Sequence, residues 1–218
     1  FHFYQVDCGK LSGLSMLGYG SLSGSYAGVW DTRGPSFHID SKVERLNIHQ
    51  GNVKDMKVAM TYETGKLDVM ATVENEQMQG GVLLAYDLSD SLNFLSTRGQ
   101  LRIDELAAFG LDIKGGQEAL ETSFEIIHAG QENKSFTNLS LTDFKYTCDT
   151  ATFTIDKISM EDNQKGDHNT TTLKSDVVDL FISGNFRELR PAPFVFRLMQ
   201  NYLPAYSVHQ PKKTRKYP

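Results

Sequence analysis

Cysteine, proline and tryptophan are scarce in this chain. Its 218 residues include two cysteines, six prolines and one tryptophan. Cys8 and Cys148 lie too far apart for a metal-ligand spacing, which excludes a zinc site, and two cysteines are too few for a disulfide scaffold. Two interpretations stay open: both thiols are buried in strand-like stretches, or they form one bridge in an oxidising compartment.

Long apolar runs and a leader segment are missing as well. No segment approaches the ~18 uncharged apolar residues that typify a membrane-spanning helix. The chain begins at Phe1, and no charged segment followed by an apolar one marks a secretory signal. We therefore expect a processed or excised piece of a longer protein.

Sequence motifs of catalysis, nucleotide binding and metal binding are also absent. The six histidines are scattered, and the chain has no G-x-S-x-G elbow, P-loop or H-E-x-x-H. The glycine-rich stretch 18–24 departs from a dinucleotide fingerprint, because its third glycine is one position late and no βαβ unit surrounds it. We expect no enzymatic activity, no cofactor and no metal site.

Positive charge is scarce in the body of the chain and concentrated at its end. Residues 1–186 carry 15 Lys and Arg against 26 Asp and Glu, whereas residues 187–218 carry seven against one. An acidic body disfavours a nucleic-acid-binding surface, because phosphate contacts need clustered Lys and Arg. The basic run 212–216 is typical of a solvated tail, with anionic lipid or nucleic acid as the alternative contact.

What the chain has in abundance is alternation of apolar and polar residues with a period of two, which predicts β-strands. In segment 53–62, one face carries the apolar side chains Met56, Val58, Met60 and Tyr62. In segment 66–73, the corresponding face carries Leu67, Val69, Ala71 and Val73. Glu63-Thr64-Gly65 joins the two segments and predicts the turn of a β-hairpin.

The alternation changes phase at several places, and phase changes predict β-bulges. One lies at Asp143, and another lies between Ile155 and Ile158. The glycine-rich stretch 9–28 predicts short, bent or bulged strands. Segment 101–113 is compatible either with a bent strand or with a helical turn over Leu106–Phe109.

One helix is predicted near the end of the chain. Pro191 and Pro193 precede it, Pro204 ends it, and Phe194, Leu198 and Tyr202 form one apolar stripe. We expect residues 194–203 to cover an edge of the sheet. The domain organisation is therefore a β-domain over 1–190, a capping helix over 191–204 and a basic tail over 205–218.

A chain of strands with one apolar face and almost no helix must cover that face in another way. A β-sandwich or a closed barrel would fill it with side chains from its own strands. A curled antiparallel sheet would leave it as the lining of a ligand groove. Composition and periodicity do not choose among the three.

Two segments near the end of the β-domain resemble a known family. Residues 153–160 read FTIDKISM, and residues 173–187 read LKSDVVDLFISGNFR. Followed by Tyr202-Leu203-Pro204, they are similar to the recurring phrase of the AsmA-like/TamB family, and most of all to the long TamB-like proteins of Bacteroidota. The resemblance covers about 151–204, and Gly65–Val69 is similar to the family's strand repeats.

The resemblance implies an all-β fold: an elongated, curled antiparallel sheet that forms a taco-like β-groove, with one short C-terminal helix. It also implies that the apolar lining carries phospholipid acyl chains between the two bacterial membranes. The implied location is the periplasm, with the full-length protein anchored in the inner membrane. The implied protein partner is an outer-membrane barrel-assembly protein of the TamA type.

The candidate site is the set of inward-facing residues of the alternating segments. We predict that one continuous apolar surface, open to acyl chains, is formed by Val58, Met60, Tyr62, Leu67, Val69, Leu139, Leu141, Phe153, Ile155, Val178, Leu180 and Ile182.

A second hypothesis is an extracellular β-sandwich that serves as an adhesion or ligand-recognition module. Three Asn-x-Ser/Thr sequons, at Asn133, Asn138 and Asn169, are compatible with a glycosylated ectodomain.

Overall fold

Twelve antiparallel strands form a single open sheet in which spatial order follows chain order. The computed structural model describes residues 1–12, 16–32, 34–88, 93–111, 117–131, 133–149 and 151–185. The strands are β1 (His2–Asp7), β2 (Leu17–Asp31), β3 (Gly34–Ile48), β4 (Gly51–Glu63), β5 (Lys66–Glu74), β6 (Met78–Asp87), β7 (Asn93–Ile103), β8 (Glu118–Gln131), β9 (Lys134–Cys148), β10 (Ala151–Lys165), β11 (His168–Ser175) and β12 (Asp179–Gly184). Two short helical elements accompany them, α1 (Cys8–Ser12) and a 3-10 turn (Leu106–Phe109).

The predicted all-β class is confirmed. Of the three predicted forms, which were a β-sandwich, a closed barrel and a curled open sheet, the structure has the open sheet. Every described strand belongs to the same sheet, and β1 and β12 do not pair with each other. The expectation of a sandwich or barrel is therefore wrong for the described part of the chain. Short turns explain the simple order, because a strand followed by a tight turn pairs with its successor. Thr64 and Gly65, with φ of 50° and 80°, make the predicted hairpin turn between β4 and β5.

The predicted phase changes are confirmed and explain how the strands bend. Ile155 and Ile158 are both buried, although they are three residues apart on β10. Asp143 lies opposite this point on β9, is exposed and has a φ of 54°. Asp55 on β4 has a φ of 56° in an equivalent position, which the periodicity did not reveal. Such irregularities bend a strand and keep apolar side chains on one side of the bend.

The prediction of bulges within 9–28 is confirmed by two register shifts between β2 and β3, but the prediction of short strands is wrong in two respects. The chain enters α1 directly after β1, because the Asp7 carboxylate accepts a hydrogen bond from the Lys10 backbone N–H at 3.0 Å, as an N-cap does. Cys8 therefore begins a helix and does not lie in a strand. β2 then runs for 15 residues. Glycine lets it approach β3 closely: a Cβ at Gly24 would lie 2.3 Å from the Asp40 carbonyl oxygen.

Within the described residues 101–111, the segment after β7 is a helical turn, so the alternative of a bent strand is wrong there. Gln50 donates a backbone hydrogen bond to the Ala108 carbonyl at 3.0 Å, and Asp104 donates one to the Gln77 carbonyl at 3.0 Å. These bonds attach the 3-10 turn to the β3–β4 and β5–β6 turns.

The predicted capping helix over 194–203 and the basic tail lie outside the described residues. Among the residues that are described, no helix has both the length and the apolar character needed to cross a membrane.

Candidate functional site

The register of the sheet separates an apolar face from an opposite face. Residues directly across from each other on neighbouring strands project from the same side. The central row of the apolar face crosses eleven strands, and ten of its eleven members are apolar. It consists of Tyr26, Ile39, Met60, Val69, Leu84, Thr97, Ile126, Leu139, Met160, Leu173 and Leu180. At ~4.8 Å per strand, this row extends for about 48 Å.

The register places eleven of the twelve predicted lining residues in strands on the apolar face. Val58, Met60 and Tyr62 pair with Ala71, Val69 and Leu67. Further along the sheet, Leu139, Leu141, Phe153, Ile155 and Leu180 pack in or against one buried cluster with Ile158, Met160 and Leu173. Ile182 lies two residues after Leu180 on β12. The twelfth, Val178, is half-buried just before β12 begins.

Burial along the apolar face is uneven. Met160 and Leu173 are buried beneath their neighbours, whereas Met60, Val69, Leu84, Ile126 and Leu139 are only half-buried. The central third of the sheet therefore keeps an apolar surface that its own side chains do not fill. Acyl-chain contact with this surface stays a prediction.

The opposite face is largely polar and charged. Its central row runs Ser25, Asp40, Ala59, Met70, Leu83, Arg98, Glu125, Ser140, Ser159, Lys174 and Asp179. The Lys42 ammonium lies 2.6 Å from the Asp55 carboxylate. Hydrogen bonding and charge attraction in this pair lower the pKa of Asp55 and raise the pKa of Lys42.

Two depressions indent the sheet over β2–β7 and are lined mostly by residues of the opposite face. One has a volume of about 510 Å³, with Lys42 and Lys57 at its margin. The other has a volume of about 370 Å³ and is lined in part by Asp68, Met70 and Arg98. Their polar margins distinguish them from the apolar row on the other side.

The 3-10 turn covers one end of the apolar face. Its Leu106, Ala108 and Phe109 are buried with Val53, Ile103, Tyr146 and Cys148. Gly51 allows this contact, because a Cβ at that position would lie 2.7 Å from the Phe109 ring. Sequence reasoning did not assign the turn a role at the site. Its only signal was a compact apolar quartet, LAAF, interrupting the period of two.

A buried polar group lies beneath the turn. Glu118 is almost completely enclosed, beside Tyr146 and Cys148. Burial, and then the neighbouring Glu118 carboxylate, raise the pKa of the Tyr146 phenol. Cys148 is buried and Cys8 is half-buried, and no disulfide bond joins them. In the described ranges, no three His, Cys, Asp or Glu side chains are grouped so that they could hold a metal ion.

The other end of the apolar face lies along the turns that follow β2, β4, β6, β8 and β10, and it becomes polar over β8–β11. The row nearest these turns begins with Phe37, Tyr62, Leu67, Tyr86 and Leu95. It continues with His128, Thr137, Asp162 and Thr171. The His128 ring is hydrogen-bonded to the Thr137 hydroxyl at 2.8 Å, and the Thr171 hydroxyl donates to the Asp162 carboxylate. We call these four residues the polar strip.

Comparisons with known proteins assign no family. No family model, no curated protein and no solved structure matches the chain.

Proposed function

We propose that the apolar face is a groove that binds lipid acyl chains. The observation that carries the proposal is the central row, which is apolar across ten of its eleven positions on an open sheet. A soluble monomer rarely exposes an apolar surface of this length unless the surface binds something. Each methylene group that leaves water for such a surface contributes about 0.8 kcal/mol.

The helical elements of the described residues leave most of this face available. The 3-10 turn packs at one end of it, against residues of β4, β7 and β9. The five-residue α1 contacts β2. Met60, Val69 and Leu84 lie between these places and are half-buried on the central strands. An acyl chain is the ligand whose chemistry fits a long, unbranched apolar track.

The distribution of polarity favours an amphiphile over a purely apolar ligand. The 3-10 turn closes one end of the face, and the polar strip lies at the opposite end on β8–β11. A lipid would place its acyl chains along the central row and its headgroup toward His128 and Asp162. Hydroxyl, imidazole and carboxylate groups there can replace hydrogen bonds that a headgroup makes with water.

The family resemblance extends this proposal to a cellular role. The protein would act as a segment of an AsmA-like/TamB carrier in the periplasm, where it conducts phospholipid toward the outer membrane. A full-length protein of that kind would be anchored in the inner membrane and would cooperate with a barrel-assembly partner of the TamA type. The role is that of a carrier, without catalysis.

Photocrosslinking with a matched pair of probes tests the proposal. Val69 and Met70 are adjacent on β5, and both are apolar, but only Val69 lies on the apolar face. Met70, at 49% exposure, is the more accessible of the two. A photoreactive residue at position 69 should capture phospholipid, and the same residue at position 70 should not.

A second pair tests whether the groove is continuous to β12. Leu180 pairs with Leu173 on the apolar face, and Asp179 pairs with Lys174 on the opposite face. Lipid should label position 180 and spare position 179. Equal labelling within both pairs, together with a lipid-free mass under mild native mass spectrometry, would exclude acyl-chain binding by this face.

A further inference from the structure

Large apolar side chains protrude at one margin of the sheet. The β2–β3 hairpin continues past the end of β4: Trp30 pairs with Pro35, beyond the last β3–β4 pair of Ser36 with Glu63. At its tip, Trp30 is 82% exposed and Val29 is 65% exposed. These two residues project from opposite faces of the hairpin, so a single covering layer could not bury both.

The β6–β7 connection, two turns further along the same margin, also carries exposed apolar side chains. Leu88 and Phe94 flank the β6–β7 connection and are 48% and 40% exposed. We call Val29, Trp30, Leu88 and Phe94 the apolar margin. Two protruding tips, four strands apart, lie roughly 19 Å from each other along the sheet. That spacing fits contact with an extended surface better than insertion into a single pocket.

Aromatic side chains connect this margin to the apolar face. Tyr26 lies on the central row, with its ring centroid 6.2 Å from that of Phe37, and the Phe37 ring stacks on Tyr62 at 5.2 Å. Tyr26 is exposed, whereas Tyr62 is half-buried. Exposure therefore increases from Tyr62 on β4 to Tyr26 and Trp30 on β2. Tryptophan and tyrosine are the side chains that best suit the boundary between hydrocarbon and water.

The apolar margin carries a small negative charge, because residues 87–94 contain two acidic residues, Asp87 and Asp90, and no basic one. Residues 29–36 contain one acidic residue and one basic residue, and so do residues 63–66. Lys66 is further paired with Asp87 at 3.4 Å. A slightly acidic surface without clustered Lys and Arg gains nothing from anionic lipid, since that attraction needs such clusters. The complementary surface is an uncharged one.

We infer that the apolar margin docks the protein on a zwitterionic lipid bilayer, with Trp30 inserted at the level of the headgroups. Docking at this margin brings the open, aromatic end of the apolar face to the source of its ligand. The role given to docking rests on the proposed lipid-binding function, whereas the insertion of Trp30 is measured independently of that function.

Trp30 is the only tryptophan of the chain, so its fluorescence reports on this site alone. With phosphatidylcholine vesicles, its emission should shift to the blue, and brominated acyl chains should quench it. The shift should not weaken at high salt, because no attraction between opposite charges drives the contact. An unshifted spectrum, or a shift that needs anionic vesicles and disappears with salt, would overturn the inference.

Variants separate docking from acyl-chain capture. Trp30→Ala combined with Leu88→Ser should weaken co-flotation with the vesicles at least about tenfold, because burial of the two apolar groups is lost. Met70→Ser is the control, because Met70 is as exposed as Leu88 (49% and 48%) but lies away from the margin, and this variant should float like the unmodified protein. Circular dichroism checks that all variants are folded.

The two proposals fail in different ways. If the double variant loses vesicle binding but a probe at position 69 still captures lipid delivered from micelles, docking and the groove are both supported. If the probe captures nothing while Trp30 still inserts, only the groove proposal fails. If the emission of Trp30 shifts with protein concentration in the absence of vesicles, the margin binds a second copy of this chain and the docking inference is wrong.

Discussion

Tyr146 lies in the core beside Glu118, a titratable side chain that is almost completely enclosed. Its phenol is buried beside Glu118, and both burial and that carboxylate raise its pKa above the usual value of about 10. The neutral phenol is therefore favoured by the folded state. Its contribution to stability is fully present below pH ~10 and is lost as the pH rises further, because only the unfolded chain releases the proton readily.

Replacing Tyr146 with Phe should reduce the alkaline loss of stability. In the unmodified protein, ionisation of this group in the unfolded chain lowers the free energy of unfolding by an amount approaching ~1.4 kcal/mol for each pH unit above pH ~10. Urea unfolding between pH 8 and pH 11 measures that slope. Tyr4→Phe, at an exposed position on β1, is the control. An unchanged slope for Tyr146→Phe would contradict the enclosed environment of the phenol.

Gly51 is a second residue whose environment makes a sharp prediction. A methyl group there meets the Phe109 ring at 2.7 Å, whereas one at Gly81 meets its nearest atom at 3.6 Å. Gly51→Ala should cost about 2 kcal/mol, because the 3-10 turn must move or the core must be overpacked. Gly81→Ala should be neutral or slightly stabilising, since glycine loses more chain entropy on folding. Equal unfolding free energies for the two variants would contradict the contact.

At the scale of the element, the bends of the strands decide where the apolar face continues. Met56 and Val53 on β4 lie three residues apart, with Asp55 between them at a φ of 56°, and both pack in or against the same core. β9 bends in the same way at Asp143. Without these bends, strict alternation would turn the ends of β4 and β9 away from the 3-10 turn.

Asp143 provides a test of the bend on β9. Its positive φ of 54° is tolerated by aspartate and glycine but not by a β-branched residue. Asp143→Val should lower the free energy of unfolding by about 1–2 kcal/mol, and Asp143→Gly should change it little. Lys145→Val, two residues along the same strand at an exposed position, controls for the change to valine. A neutral Asp143→Val variant would show that the strand has no bend at this residue.

Much of this element-scale structure could be read from the sequence. The alternation in 53–62 and 66–73 predicted the strands β4 and β5, their shared face and the turn between them. The phase change at Asp143 predicted the bend of β9. The bend at Asp55 was not visible in the sequence. The polar pair Lys54-Asp55 that follows Val53 is equally compatible with a strand that begins at Met56. The helix α1 was missed because its glycine and polar residues are typical of turns.

At the scale of the whole molecule, the open order of the strands sets the shape. A compact globule of this length has a radius of gyration of ~17 Å. Twelve strands in chain order give a stack of about 53 Å, since each of the eleven steps adds ~4.8 Å. With strands of up to 15 residues across the other direction, the radius of gyration should be about 20 Å or more.

Small-angle scattering from the monomer checks this expectation. An elongated distance distribution with the larger radius of gyration agrees with the open sheet. A radius of ~17 Å with a bell-shaped distribution would require the sheet to close on itself, and the groove proposal would then be withdrawn.

The two hypotheses for the whole molecule differ in how well the structure accommodates them. The recognition module required a sandwich, and the described strands form one sheet. Asn169, one of its three sequons, is buried on β11 and therefore inaccessible to a glycan in the folded state. The curled sheet needs neither a second layer nor a sugar.

The sequence by itself determined that the chain is all-β, which residues share a face, and where several strands bend. These properties are local, because side-chain direction alternates with every residue regardless of what the strand packs against. Only the tertiary structure decided that the sheet stays open and that Phe109 closes one end over Gly51. Only the tertiary structure, likewise, places Trp30 and Leu88 along the same margin of the sheet. Those facts depend on register and curvature summed over twelve strands, and a period of two contains no information about which surface covers an apolar face or leaves it open.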